Sequence, residues 1–180
     1  MSADLSNFRY VHFATHGFIN NENPELSGIV LSRFAENGQK LNEFVRLHDI
    51  YGMNLSANLV VLSACSTGIG KEMRGEGLQS LNNAFLQTGA KSVMSSLWKV
   101  DDYATLELMK DFYAAMAEEN LTPSEALRKA KIKMRQDPRF ESPFYWAAFT
   151  IQGDFRRTPE PRGTKKRAGG DSKGGRGSGG

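Results

Sequence analysis

Val60-Val61-Leu62-Ser63-Ala64-Cys65-Ser66-Thr67-Gly68 decides how this chain folds. Leu59–Ala64 is an uninterrupted apolar run, the pattern of a strand buried on both faces. A thiol ends it, and a glycine-rich loop begins. Tyr10-Val11-His12-Phe13-Ala14-Thr15-His16-Gly17 repeats this layout, with His16 where the other strand carries Cys65. Two strands that each deliver a reactive side chain and then break at glycine suggest a parallel sheet with a site along one edge.

Alternation of strands and helices extends outward from these segments. Phe8–Thr15 and Ser27–Ser32 read as strands, the second followed by a Glu36-Asn37-Gly38 turn. Leu47–Met53 reads as a short helix. Gly77–Thr88 reads as a helix with Leu78, Leu81, Phe85 and Leu86 on one side and Gly89 as its C-cap. Lys91–Trp98 is the next strand. Asp101 or Asp102 caps a helix to Glu119 whose apolar face is Leu106, Met109, Phe112, Tyr113 and Met116. Thr122-Pro123-Ser124-Glu125 is a capping box that opens another helix. Phe144–Ile151 reads as a last strand, ended by Gly153. The sum is an α/β fold with a mostly parallel sheet covered on both faces.

At 180 residues and 39 % hydrophobic content, the chain suits one domain with a sizeable core. The formal net charge is +3. Residues 156–180 hold eight Lys/Arg and two Asp/Glu, a net of +6, which leaves −3 for residues 1–155. The domain is therefore expected over residues 1–155. The tail has eight glycines and no large apolar residue, so it is expected to be disordered. It offers nucleic acid at most a weak nonspecific contact, because no aromatic interleaves with its cations. One cysteine excludes an intrachain disulfide and fits a reducing compartment. No signal peptide and no run of about 20 apolar residues is visible, so a cytoplasmic location is expected.

In open α/β sheets, sites form beyond the carboxyl ends of the strands. A thiol becomes a useful nucleophile near neutral pH only with a base beside it. His16 suits that role, and the N–H groups of Gly17 and Cys65 suit an oxyanion hole. Position alone leaves the ordinary readings open. A lone cysteine is commonly a small buried hydrophobe, and a strand histidine is commonly a core or surface residue. His12 and His48 are read as such ordinary residues, His12 facing away from Phe13 within its strand. A structural zinc site would need four ligands, which these residues do not supply. The loop from Gly68 to Gly77 lies where phosphate loops occur. It lacks the dinucleotide spacing and the Gly-Lys-Ser/Thr of a P-loop, and its two glutamates oppose phosphate.

His16-Gly17, Ser63-Ala64-Cys65-Ser66-Thr67-Gly68 and Gly75-Glu76-Gly77 together resemble the CHAT domain of caspase-like cysteine proteases. The resemblance continues through Ala84–Val93, Ser96-Leu97-Trp98-Lys99-Val100-Asp101-Asp102, Leu108–Tyr113, Glu125-Ala126-Leu127 and Tyr145–Phe149, covering about residues 8–154. It implies a caspase-like three-layer α/β/α sandwich. It also implies a cysteine endopeptidase with Cys65 as nucleophile and His16 as general base and acid, needing no metal or cofactor. The stretch from Ser96 also resembles separases, which implies substrate-binding roles for Ser96, Trp98 and Asp102, the last receiving a basic P1 side chain. Helix capping explains Asp101 and Asp102 equally well. Family members usually carry further strand–helix units before the histidine strand, often after TPR repeats, and only 15 residues precede His16 here. The expected partners are thus a protein or peptide substrate and an upstream TPR or sensor module. The alternative is a shortened, inactive CHAT-like domain that acts as a protein-interaction module.

Overall fold

A computed structural model describes residues 5–20, 22–31, 38, 44–63 and 76–155. Along them run β1 (Tyr10–Phe13), β2 (Gly17–Phe18), β3 (Gly28–Val30), β4 (Phe44–Arg46), α1 (Leu47–Tyr51), β5 (Leu59–Leu62), α2 (Glu76–Gln87), β6 (Ser92–Ser96), α3 (Asp102–Glu118), α4 (Pro123–Arg135), α5 (Pro143–Trp146) and β7 (Phe149–Gly153). The main sheet has the order β1-β5-β6-β7. β1 and β6 both run parallel to β5, and β7 returns antiparallel to β6.

β5 is central because its sequence allows nothing else: Leu59, Val60, Val61 and Leu62 are each no more than 2 % exposed. Strand alternation divides them between two layers. Leu59 and Val61 join Met94, Leu108 and Phe112 of α3, Ala126 and Met134 of α4, and Phe149. Val60 and Leu62 join Val93, Ile50 of α1, and Leu81 and Phe85 of α2. The result is the expected α/β/α sandwich with a mostly parallel sheet.

Several helix ends follow directly from the sequence. Thr122 Oγ1 accepts from the Glu125 N–H at 3.3 Å, and the Glu125 carboxylate accepts from the Thr122 N–H at 3.0 Å. That reciprocal pair is the capping box. After α2 the Ala90 N–H reaches the Phe85 carbonyl and the Gly89 N–H reaches the Leu86 carbonyl. This is a Schellman ending, and Gly89 supplies the positive φ of 108° that it requires. A Cβ at Gly89 would lie 2.0 Å from the Leu55 carbonyl oxygen, so no larger residue fits.

Four expectations are corrected. Phe144–Ile151 is not one strand. Ser142 accepts from the Phe144 N–H at the start of α5, with Pro143 at its first position, and β7 begins only at Phe149. The cap and proline outweigh the aromatic content. Leu106 is 53 % exposed, so it does not belong to the buried face of α3. That face is Ala104, Leu108, Met109, Phe112, Ala115 and Met116. Its two alanines are small, so they add nothing to a stripe read from large apolar residues. The strand at Ser27–Ser32 shortens to Gly28–Val30 and joins a separate antiparallel sheet, β2-β3-β4. Gly28 makes that sheet possible, because a Cβ there would come within 2.2 Å of the Val45 carbonyl oxygen. Finally, the Phe8–Thr15 strand is only Tyr10–Phe13, since the chain turns off into the small sheet. Glu36, Asn37 and the tail from Arg156 lie outside the described residues.

Candidate active site

Parallel pairing sets the geometry of the candidate site. β1 and β5 are neighbours, and Phe13 pairs with Leu62. The two strands therefore end side by side on one edge of the sheet. His16 follows its last paired residue by three positions, and Cys65 follows Leu62 by three. β6 ends on the same edge at Ser96, because it too is parallel to β5.

His16 is held through its backbone. Its carbonyl accepts from the Val30 N–H at 2.8 Å, and the Thr15 hydroxyl donates to the Val30 carbonyl. Gly17 then opens β2 opposite Ile29 and is buried. The small antiparallel sheet thus anchors both flanks of His16 and leaves the residue itself exposed to solvent. Ala64, Cys65 and the glycine loop as far as Gly75 lie outside the described residues, and Glu76 and Gly77 belong to α2. α2 starts at Glu76, so residues 64–75 connect the end of β5 to a helix packed on the same sheet.

The three candidate substrate residues differ in setting. Ser96 ends β6 and is 2 % exposed. Trp98 is half-buried, and its indole N–H donates to the Phe144 carbonyl at 3.0 Å, tying the segment after β6 to α5. Asp102 is exposed in the first turn of α3. Asp101 alone performs the capping: its carboxylate accepts from the Ala104 N–H at 3.0 Å.

Two polar groupings escaped the sequence reading. His12, one of the residues read as ordinary, has both ring nitrogens engaged. Nε2 lies 2.8 Å from Ser63 Oγ and Nδ1 lies 3.1 Å from the Tyr113 hydroxyl. Alternation did place it opposite Phe13, which packs on Phe85 of α2. Nothing in the sequence pairs His12 with a tyrosine 101 positions away. In the other layer, buried Asn82 of α2 donates to Ser95 Oγ at 2.9 Å and lies 3.4 Å from Gln152 Oε1 of β7. Its own Oδ1 has no partner among the described residues. His48 is exposed and sits 3.2 Å from Asp49. Among the described residues, no three His, Cys, Asp or Glu side chains gather as a metal site, and no helix is long and apolar enough to cross a membrane.

Comparison with known proteins fits this architecture. The family model for the CHAT domain matches residues 1–154. The chain is 33 % identical over 105 residues to tetratricopeptide repeat protein 28 of Mus musculus, a match covering 58 % of this chain and 4 % of that protein. The Homo sapiens protein of the same name is 31 % identical over 105 residues, with the same coverage. This chain thus spans only a small part of the curated relatives it matches. A match over residues 1–154, on a mostly parallel sheet flanked by helices, shows that the chain belongs to the CHAT domain family, whose fold is caspase-like.

Proposed function

We propose that this chain is a cysteine endopeptidase domain that cleaves peptide bonds through Cys65 and His16. The observation that supports the reading is the register of β1 and β5. Phe13 pairs with Leu62 at the ends of adjacent parallel strands, and in the sequence His16 and Cys65 each follow three residues later. His16 takes the thiol proton, and the Cys65 sulfur forms a bond to the scissile carbonyl carbon. The negative charge that develops on the carbonyl oxygen is met by the N–H groups of Gly17 and Cys65. The C–N bond then breaks as the His16 imidazolium protonates the leaving amine. Water, deprotonated by His16, hydrolyses the thioester and restores the thiol. No metal or cofactor enters this sequence.

Substrate choice is assigned to the loop and helix start after β6. Because Asp101 supplies the cap, Asp102 is available to pair with a lysine or arginine at P1. Ser96 and Trp98 shape the adjoining wall. A TPR module is the natural partner, since the curated relatives are named for that repeat. The working domain is residues 1–155, in the cytoplasm, with 156–180 as a basic tail.

Cleavage of a peptide library by the wild-type chain, with and without a TPR partner, tests the reading. Cys65→Ala should abolish turnover, and His16→Ala should lower kcat/KM by about 10²–10⁴-fold, the usual contribution of a general base. If the Cys65→Ala chain cuts as well as wild type, or if no form cuts at all, the protease reading gives way to that of an interaction module.

A further inference from the structure

Tyr113, His12 and Ser63 form a continuous hydrogen-bonded line across three elements. It runs from α3, through β1, to the residue that follows β5. The His12 and Tyr113 rings lie 5.8 Å apart at 39°. Ser63 precedes Cys65 by two residues and is the last described residue before the loop. The strand below it is already fixed by burial. Beyond Leu62 the ladder to β1 ends, so the Ser63 hydroxyl is a tie between the departing chain and the rest of the fold.

We propose that His12 is a positioning residue: braced by Tyr113, it clamps Ser63, and through that clamp it sets the reactivity of Cys65 two residues on. The proposal rests on the Cys65–His16 reading and deepens it. Two features support the clamp. Burial pushes the Tyr113 hydroxyl up to about 12, so it remains a protonated donor or acceptor throughout the neutral range. Partial burial of its ring lowers the basicity of His12, which favours the neutral form even though the residue is exposed at the surface. In one tautomer, the Tyr113 O–H donates to Nδ1 and Nε2–H donates to Ser63 Oγ. In the other, the Ser63 O–H donates to Nε2 and Nδ1–H donates to Tyr113. Ser63 is held in both, so the clamp does not depend on the tautomer. A catalytic part for Ser63 is not invoked. The line holds the same order of groups as a nucleophile, base and orienter, yet its histidine lies within β1, whereas His16 lies beyond the strand's end; both histidines are exposed.

The chain has one cysteine, so the rate at which iodoacetamide alkylates it reads Cys65 alone, with or without turnover. Tyr113→Phe and Ser63→Ala each remove a single oxygen and spare the packing. Each should slow alkylation at neutral pH by about three- to tenfold, the range that one lost hydrogen bond commonly spans. Circular dichroism should stay unchanged. Ser63→Thr, which keeps the hydroxyl, should alkylate at close to the wild-type rate, which ties the effect to that hydrogen bond. Wild-type alkylation rates in both Tyr113→Phe and Ser63→Ala overturn the clamp. His16→Ala separates the two failures. If it slows alkylation while the clamp variants do not, only this inference falls; if it too alkylates at the wild-type rate, the dyad itself falls.

Discussion

Asp101 and Asp102 are adjacent carboxylates in different settings. Asp101 closes the first turn of α3 by accepting from Ala104, and Asp102 is left exposed beside it. Asp101→Ala should therefore cost about 1 kcal/mol of stability in denaturant titration, the ordinary worth of an N-cap. Asp102→Asn should change stability by less than about 0.5 kcal/mol, as surface substitutions do. In cleavage assays the order reverses. Asp102→Asn should lower turnover after lysine and arginine by about tenfold, the scale of one charged hydrogen bond, with little effect after neutral residues. Sequence alone left the cap undivided between them, because both residues satisfy the same capping rule. His12 shows a similar limit. Its facing was legible from alternation, but its partners come from β5 and α3. Its basicity is lowered by burial, so the unfolded chain holds this proton more tightly than the folded one. The stability it contributes is present above about pH 6.5, the ordinary histidine value, and is lost as pH falls through the folded value. Thermal midpoints should fall on acidification below that point, and His12→Gln should flatten the slope.

Individual elements were legible wherever local chemistry alone fixes them. The capping box at Thr122 and the Schellman ending at Gly89 are short-range hydrogen-bond patterns, and their residues can be read in order. α5 was hidden because four residues rich in aromatics look like strand, and only Ser142-Pro143 marks the helix start. The small sheet was hidden for a different reason. β2, β3 and β4 hold two or three residues each, too few to show alternation, and their pairing depends on distant partners. On α3, the large apolar residues pointed partly to the wrong stripe, because Ala104 and Ala115 complete the true one. Substitution tests this orientation. Phe112→Ala, at a fully buried position, should cost about 3–5 kcal/mol, whereas Leu106→Ala should stay within about 0.5 kcal/mol. Equal losses at the two positions would contradict the packing of α3 on α4.

At the scale of the whole molecule, the sandwich was legible because β5 has only one environment that suits four consecutive buried aliphatics. The alternation of strands and helices did the rest. The candidate site follows from the same topology. β1 and β5 are adjacent and parallel, and the two candidate residues, 49 positions apart, each follow one paired step by three positions in the sequence. The charge division is a property of the sequence itself: residues 156–180 carry +6 against −3 for the remainder. What the sequence could not supply was the support around His16. The small antiparallel sheet pins its flanks, and that sheet is built from non-local pairs. Labelling with a peptidyl acyloxymethyl ketone tests the Cys65–His16 pair most directly, because the probe alkylates only a thiol activated within a peptide-binding site. The account predicts one adduct, on Cys65, absent in Cys65→Ala and formed at least about a hundredfold more slowly in His16→Ala. Labelling of His16→Ala at the wild-type rate, or no adduct on Cys65 in the wild-type chain, would contradict it.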